Sequence, residues 1–314
     1  MTPMTRRLAL AALAGGALWG GIYLWGRRKG RVRAAELYAN PLTAPQGPLK
    51  VFHLGHSLVG RNMPAMLAQI AGKEHLYESQ LGWGTPLESH WEPEVPINGF
   101  DVENDHPRYR DAKEALGAGT YDAIVFTEMV EIRDAIKYHE SARYLAEWAR
   151  YAHAANPDAR LYLYETWHHI DDPSGWLDRV DADLQERWLG EILLPALGRT
   201  DAPIHLIPAG QVMATFVRAV DARGGIAGIA GIEDLFARNA DGTIDTIHFN
   251  DIGAYLVALT HYAVLYHRSP VGLPHQLNLA DGSSAVSPSA EAALLMQEIV
   301  WEVVRRHPET GVAA

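Results

Sequence analysis

Cysteine is missing from the 314-residue sequence, and this absence limits the chemistry that the protein can use. Without cysteine there are no disulfide bonds, no thiolate nucleophile and no cysteine-ligated zinc site. Basic residues are also scarce. The sequence has 27 Lys and Arg residues but 38 Asp and Glu residues, which gives a formal net charge of -11. We therefore expect no nucleic-acid partner, since phosphate binding needs a basic surface.

A long uncharged hydrophobic run occurs once, at the N-terminus. Leu8–Trp25 reads LALAALAGGALWGGIYLW, and in a helix it would rise roughly 27 Å, about one bilayer core. Basic residues flank it on both sides: Arg6, Arg7, Arg27, Arg28, Lys29, Arg31 and Arg33. Residues 1–33 are predicted to form a single-pass transmembrane anchor, with a signal segment, cleaved or uncleaved, as the alternative.

Two tendencies give opposite orientations for this anchor. The heavier basic cluster follows the hydrophobic run, and the positive-inside tendency would keep the rest of the chain in the cytoplasm. A single N-terminal anchor more often holds a catalytic domain on the other side. We expect an extracytoplasmic, periplasmic domain.

Downstream of the anchor and a predicted linker at residues 34–48, apolar runs alternate with helical patterns. Strands are predicted at Lys50–Leu54, Tyr77–Leu81, Tyr121–Thr127, Arg160–Glu165 and Ile204–Ile207. Helices are predicted at Asn62–Lys73, Ser141–Ala155, Arg179–Leu194, Gln211–Ala222, Asp251–Tyr266 and Pro288–Arg306, the last with Ser287 as its cap. This alternation indicates βαβ units, and so a three-layer α/β domain around a parallel sheet over residues 49–314.

The first predicted strand leads directly to a serine, in the stretch VFHLGHSLVG at Val51–Gly60. A turn from strand to helix at the carboxyl edge of a parallel sheet faces the ligand crevice, and Ser57 lies in such a turn. The helix that follows offers backbone N–H groups to an anion. Ser57 is thus a candidate nucleophile, although a Gly-x-Ser turn is also a common structural feature.

A second motif, Asp245-Thr246-Ile247-His248, lies just before the predicted helix at Asp251. A histidine close to a serine can take its proton, and a carboxylate can fix the tautomer of the imidazole. Taken alone, Asp245 could simply end a loop and His248 could cap the next helix.

Together the two motifs resemble the SGNH, or GDSL-type, serine hydrolase superfamily over residues 50–266. The resemblance implies a flavodoxin-like parallel sheet, with Ser57 as nucleophile, His248 as general base and Asp245 as the acid that orients it. It also implies an oxyanion hole formed by the N–H of Ser57 and a glycine after the second strand, Gly84 or, as the alternative, Gly82. We expect no cofactor and no metal site.

The chain departs from the family pattern at two positions. The family has an asparagine after the third strand, whereas this chain has Glu128 at or beside that position. An ionised Glu128 would repel the developing oxyanion, and a protonated one could donate a hydrogen bond. Glu128 could also bind substrate hydroxyls or pair with Arg133. His56 stands where the family has an aspartate before the serine.

Polar residues after the fourth strand are candidates for a substrate pocket. Glu165, Trp167 and His168 lie at the same sheet edge as Ser57, whereas His169–Asp172 could equally form a solvated loop. The adjacent histidines diverge and match no metal-site pattern.

A long insertion, residues 83–110, begins at Trp83 and is rich in aromatic and arginine residues. Such side chains stack on sugar rings and bind carboxylates, and they could equally pack the insertion onto the domain. Trp83 therefore joins the predicted pocket. Its members are His56, Trp83, Glu128, Glu165, Trp167 and His168.

These features favour a membrane-anchored serine esterase that acts on small acyl esters, such as O-acetyl groups of an envelope glycan. An O-acyltransferase would use the same three catalytic residues, with a sugar hydroxyl in place of water. A third hypothesis is a glycan-binding or assembly protein that keeps the fold but has lost much of its activity. Losing one oxyanion donor slows an enzyme by about 10²–10³-fold without abolishing catalysis.

Overall fold

The computed structural model describes residues 27–314, and five parallel strands form its centre. The strands are β1 Lys50–His56, β2 Leu76–Gly82, β3 Ala123–Thr127, β4 Arg160–Glu165 and β5 Ile204–Pro208. Their order in the sheet is β2-β1-β3-β4-β5, the order found in flavodoxin-like folds. The predicted α/β class, the parallel sheet and all five predicted strands are confirmed.

Helices cover both faces of this sheet, which explains why the strands are apolar on both sides. In chain order they are α1 (residues 27–37), α2 Asn62–Ala71, α3 Leu87–Trp91, α4 Phe100–Asn104, α5 Ala112–Gly117, α6 Ile132–Tyr138, α7 Ser141–Ala155, α8 Trp176–Asp183, α9 Leu194–Leu197, α10 Ala209–Arg223, α11 Asp251–Tyr266 and α12 Ala290–Arg306. A π-helical segment, Leu184–Leu193, joins α8 to α9. Helices α2, α10, α11 and α12 pack on one face, and α5, α7, α9 and the π-helical segment on the other.

The chain enters the domain through α1, which packs against it. Ala34 is buried, the Tyr38 hydroxyl donates to the Ile204 carbonyl at 2.6 Å, and Arg33 pairs with Asp201 at 2.6 Å. The predicted linker at residues 34–48 thus begins within a helix. The predicted membrane span, Leu8–Trp25, lies outside the described residues. Between residues 27 and 314, none of the helices is both long and apolar enough to cross a bilayer.

Several helices differ from their predicted bounds. Helix α2 ends at Ala71 rather than Lys73, and α10 runs from Ala209 to Arg223 rather than from Gln211 to Ala222. The last helix begins at Ala290 rather than Pro288, because Ser289 and not Ser287 accepts the hydrogen bond from the Ala292 N–H, at 3.1 Å. The helix predicted at Arg179–Leu194 is instead a composite of α8, the π-helical segment and α9.

A small antiparallel hairpin lies outside the five-stranded sheet, and the sequence patterns did not predict it. Its strands are β6 Phe236–Arg238 and β7 Ile244–Phe249. Every residue of β7 is only partly buried, so the hairpin lacks the continuous apolar run by which the five central strands were recognised. It leads directly into α11 and carries the Asp-x-x-His motif.

Candidate active site

A serine, a histidine and an aspartate form a continuous hydrogen-bonded chain at the carboxyl edge of the sheet. The Ser57 Oγ and His248 Nε2 atoms are 2.9 Å apart, although 191 positions separate the two residues in sequence. The Nδ1 atom of His248 is 2.8 Å from Asp245 Oδ2. This is the geometry in which an imidazole can accept a serine proton while a carboxylate fixes its tautomer.

Asp245 organises the backbone of its own motif as well as the histidine ring. Its Oδ1 atom accepts hydrogen bonds from the N–H groups of Ile247 and His248, both at 3.0 Å. Partial burial raises the pKa of the Asp245 carboxyl, but these two N–H groups and the His248 ring outweigh it, so the pKa lies below its usual value. The carboxylate is therefore ionised at neutral pH, as an orienting acid requires. Asn250 then caps α11 by accepting from the N–H groups of Ile252 and Gly253.

The loop after β4 holds the hairpin in place. The Trp167 indole donates to the Ile247 carbonyl at 3.0 Å, and the Ile170 N–H donates to the Thr246 carbonyl at 2.9 Å. Trp167 is buried against Phe249 and does not line the catalytic cavity. Trp167, which we predicted as a pocket residue, instead supports with its ring the strand that carries His248.

The turn that carries Ser57 is fixed by the residue before it. His56 is buried, its Nε2–H donates to the Glu128 carbonyl at 2.7 Å, and its Nδ1 accepts from the Leu58 N–H at 3.3 Å. Burial lowers the pKa of His56 to about 4, and the hydrogen bond to Glu128 only partly offsets this effect. The ring is thus neutral at pH 7, and His56 holds the turn that carries Ser57 to the end of β3.

Two backbone N–H groups beside the serine are available for an oxyanion. Within residues 27–314, neither the Ser57 nor the Gly84 N–H donates to a protein acceptor. Gly84 has φ +53°, a conformation that favours glycine, and it borders the catalytic cavity. Gly82 is instead a packing residue, since a Cβ there would lie 2.2 Å from Thr85 Oγ1. Of the two predicted glycines, Gly84 borders the cavity and Gly82 does not.

A cavity of about 490 Å³ opens above Ser57 and His248. Leu58, Val130 and Ile247 give it apolar walls. Trp83 lies at the cavity with about half of its surface exposed, and its indole N–H donates to Glu103 Oε1 at 2.7 Å. The arrangement combines an apolar space next to the serine with an aromatic face and a carboxylate nearby.

Of the six predicted pocket residues, only His56 and Trp83 border this cavity. Glu165 is fully buried and accepts from the N–H of Gln211 at 3.3 Å, so it supports the start of α10. Burial raises the pKa of Glu165 to about 8 despite the opposing hydrogen bonds from Gln211. His168 is also buried, and it borders a much smaller void between the sheet and α8.

Glu128 lies next to the site but does not border the cavity. Its side chain is 0% exposed, and its Oε1 atom accepts from the N–H groups of Met129 at 2.8 Å and Leu87 at 3.3 Å. It makes no ion pair with the guanidinium group of Arg133. The backbone N–H of Arg133 donates a hydrogen bond to the Glu131 side chain. Glu128, which we predicted as a pocket residue, therefore lies behind the cavity lining, with its carboxyl group pointing into the protein.

Two polar cavity residues, Glu103 and His169, were not among the predicted pocket residues. The Nδ1 atom of His169 is 2.7 Å from the Thr246 hydroxyl, so the loop after β4 also contacts the hairpin through this side chain. The sequence shows that His169 follows a strand end, but its neighbour His168 has the same signal. Only the side-chain direction, set by tertiary contacts, separates the two.

A buried arginine joins the two loops that flank the cavity. Arg179 binds Glu131, next to Val130, with two hydrogen bonds of 2.7 Å, and Asp172 at 2.6 Å. Val130 and His169 therefore reach the cavity from loops that share one ionic anchor. Within residues 27–314, no three His, Asp or Glu side chains are grouped in a way that could hold a metal ion.

No protein-family model matches the chain, and a comparison with curated proteins finds no similar sequence.

Proposed function

We propose that this protein is a serine esterase that hydrolyses small acyl esters through Ser57, His248 and Asp245. The observation that carries the proposal is the hydrogen-bonded chain from Ser57 Oγ to His248 Nε2 and from His248 Nδ1 to Asp245, at 2.9 and 2.8 Å. The resemblance to SGNH-type hydrolases supports the same reaction. The two unpaired N–H groups of Ser57 and Gly84 supply the anion-binding element that acyl transfer requires.

The reaction proceeds in two halves. Ser57 Oγ attacks the ester carbonyl while His248 Nε2 takes the serine proton, and Asp245 stabilises the imidazolium that forms. His248 then gives this proton to the leaving alcohol, which leaves an acyl group on Ser57. Water attacks the acyl-enzyme and loses a proton to His248. His248 then returns this proton to Ser57 Oγ as the bond between Ser57 and the acyl group breaks, which releases the acid and restores free Ser57.

We propose O-acetylated or similarly acylated glycans as the substrate class. The apolar walls next to Ser57 suit a short acyl group, and a half-exposed indole suits one face of a sugar ring. The Glu103 carboxylate, which already accepts the Trp83 N–H, can also accept hydrogen bonds from sugar hydroxyls. The same exposed Trp83 face could hold an acceptor sugar, which favours O-acyl transfer as the second candidate.

The proposal includes attachment to the membrane through Leu8–Trp25, with the catalytic domain in the periplasm. An alkaline phosphatase fusion after Ala314 tests this orientation, and we expect it to be active while a cytoplasmic reporter is inactive. The reverse pattern would place the domain in the cytoplasm and remove an envelope glycan from consideration.

A fluorophosphonate probe tests the catalytic proposal on the full-length protein in detergent. We expect one probe per protein chain by intact mass, lost in Ser57→Ala and His248→Ala and retained in Ser269→Ala, a change of an exposed serine outside the cavity. A folded parent that is neither labelled nor able to hydrolyse acetyl esters would favour a glycan-binding protein of the same fold. Product analysis with an acceptor glycan separates transfer from hydrolysis.

A further inference from the structure

Glu128 is a fully buried acidic residue whose polar atoms connect the two turns beside the candidate nucleophile. Its backbone carbonyl accepts from His56, the residue before Ser57, at 2.7 Å. Its carboxyl Oε1 accepts from the N–H of Leu87, three residues after Gly84, at 3.3 Å. One residue at the end of β3 thus contacts both segments that carry the proposed oxyanion donors.

The contact at Leu87 fixes the second of these segments from two sides. The Leu87 N–H donates to Glu128, and the Leu87 carbonyl accepts from the buried Trp148 indole at 3.1 Å. Leu87 is the first residue of α3 and directly follows Pro86. The turn from Gly84 to Pro86 therefore ends at a residue whose backbone N–H and carbonyl are both hydrogen-bonded. The position of the Gly84 N–H therefore depends on where Glu128 and Trp148 place Leu87.

We propose that Glu128 is a positioning residue for the oxyanion site, which aligns the Gly84 and Ser57 N–H groups without contacting the substrate. The inference rests on the proposed esterase function and deepens it. It also gives a physical account of the missing asparagine, because the residue at or beside that position supports the two remaining donors instead of supplying a third.

The protonation of the carboxyl group fits this role. Burial raises the pKa of Glu128 to about 7, against the opposing effects of the Met129 N–H, the Ser141 hydroxyl and the Leu87 N–H. At pH 7 the carboxyl group is therefore only partly ionised, and its neutral form still accepts hydrogen bonds through the carbonyl oxygen without placing a full negative charge behind a developing oxyanion.

Glu128→Leu is the informative variant, because leucine fills the buried space but cannot accept a hydrogen bond from Leu87 or Met129. We expect kcat for an acetyl ester to fall about 10- to 100-fold with KM changed less than about twofold, since misplaced donors weaken transition-state binding more than substrate binding. Glu128→Gln keeps the acceptor oxygen and should restore kcat to within about threefold of the parent.

Glu165→Leu is the matched control. Glu165 is equally buried at the neighbouring strand end, but its carboxyl group contacts Gln211 rather than the turns beside Ser57. We expect this variant to lose stability while kcat of the folded protein stays within about threefold. If Glu128→Leu does not fold, Glu128→Asp replaces it, because a carboxyl group one methylene shorter cannot hold Leu87 in the same place.

The outcomes separate the positioning role from the proposed function. An active, labelled parent whose kcat is unchanged by Glu128→Leu, or lowered equally by Glu165→Leu, overturns the positioning role and leaves the esterase proposal standing. Failure of Glu128→Gln to restore kcat also overturns the role. A folded parent without turnover or labelling overturns both proposals together.

Discussion

Ser57 and His248 are hydrogen-bonded neighbours, but the parts of the chain that carry them are built differently. Ser57 follows β1, an inner strand of the sheet in which all but the first residue is buried. His248 lies on β7, half of a two-stranded hairpin, and no residue of β7 is fully buried. The side chain of His248 is 43% exposed, and that of Asp245 is 23% exposed.

The difference shows how the hydrogen-bonded chain from Ser57 through His248 to Asp245 can depend on two levels of stability. The turn that carries Ser57 is continuous with the buried sheet, so it should move only when the domain unfolds. The hairpin is held by hydrogen bonds from Trp167 and Ile170 to its backbone and by partly exposed side chains of β7, such as Ile247, that pack against the core. Changes on the two sides should therefore act on different quantities, with activity sensitive to the hairpin and global stability sensitive to β1.

The largest expected effect is on the hairpin side, in Asp245→Asn. The asparagine amide would face His248 Nδ1 and favour the wrong tautomer, so we expect kcat to fall about 10⁴-fold with little change in melting temperature. Asp241→Asn is the matched control, because Asp241 lies in the same hairpin but contacts only Thr243 within the tight turn. Equal loss of activity in both variants would show that the hairpin, rather than the tautomer, is the sensitive feature.

The second effect is on the strand side, in Leu54→Ala. Leu54 is completely buried in β1, and its truncation should lower the free energy of unfolding by about 2–5 kcal/mol. We expect kcat of the folded protein to stay within about threefold, and denaturant unfolding followed by tryptophan fluorescence gives the stability. Leu294→Ala, at an exposed position of α12, should cost less than about 0.5 kcal/mol. A large fall in kcat for Leu54→Ala would show that activity depends on the packing of β1 as well as on the hairpin.

The third effect concerns pH and again lies on the strand side. Burial, with smaller contributions from His261 and His75, holds the pKa of His53 well below its usual value. An unfolded chain binds that proton near pH 6.5 and the folded protein does not, so lowering the pH below about 6.5 destabilises the fold. His53→Leu removes this proton, and the slope of the unfolding free energy against pH should fall by up to about 1.4 kcal/mol per unit. An unchanged slope would mean that His53 is protonated in the folded protein.

The smallest effect tests a single support of the hairpin. Trp167→Phe keeps the aromatic packing but removes the hydrogen bond that the indole donates to the Ile247 carbonyl, at 3.0 Å. Loss of one such hydrogen bond is worth about 1 kcal/mol, so we expect kcat to fall about three- to tenfold while the melting temperature barely changes. Trp176→Phe removes an indole bond to the His168 carbonyl and should leave kcat within about twofold. A melting temperature that falls with kcat would show that the hairpin unfolds with the sheet.

The sheet could be predicted because its strands are short apolar runs between helical patterns. Burial on both faces produces such runs, and β4 matches its predicted bounds at both ends. The hairpin escaped prediction for the opposite reason, since partly exposed strands lack an apolar signature and Ile244–Phe249 reads as a loop. The segments that carry Ser57 and His248 were nevertheless predicted to lie together, through the family resemblance rather than through any local pattern.

The substrate pocket was predicted less well, because a position at the strand edge does not fix the direction of a side chain. Glu128, Glu165, Trp167 and His168 all lie at the expected edge, yet they point into the protein. The rule that strand ends face the crevice applies to the backbone, and tertiary packing decides which side chains reach the cavity. His169 reaches it because its neighbour His168 turns inward.

The position of the hairpin outside the main sheet determines which part of the protein should separate first on heating. A two-stranded hairpin is only marginally stable by itself, whereas the five-stranded sheet with its helical layers must come apart cooperatively. On warming, we expect the base to leave the nucleophile before the domain melts, and cooling to bring it back. The upper working temperature would then be set by the partly exposed strand β7, below the temperature at which the core unfolds.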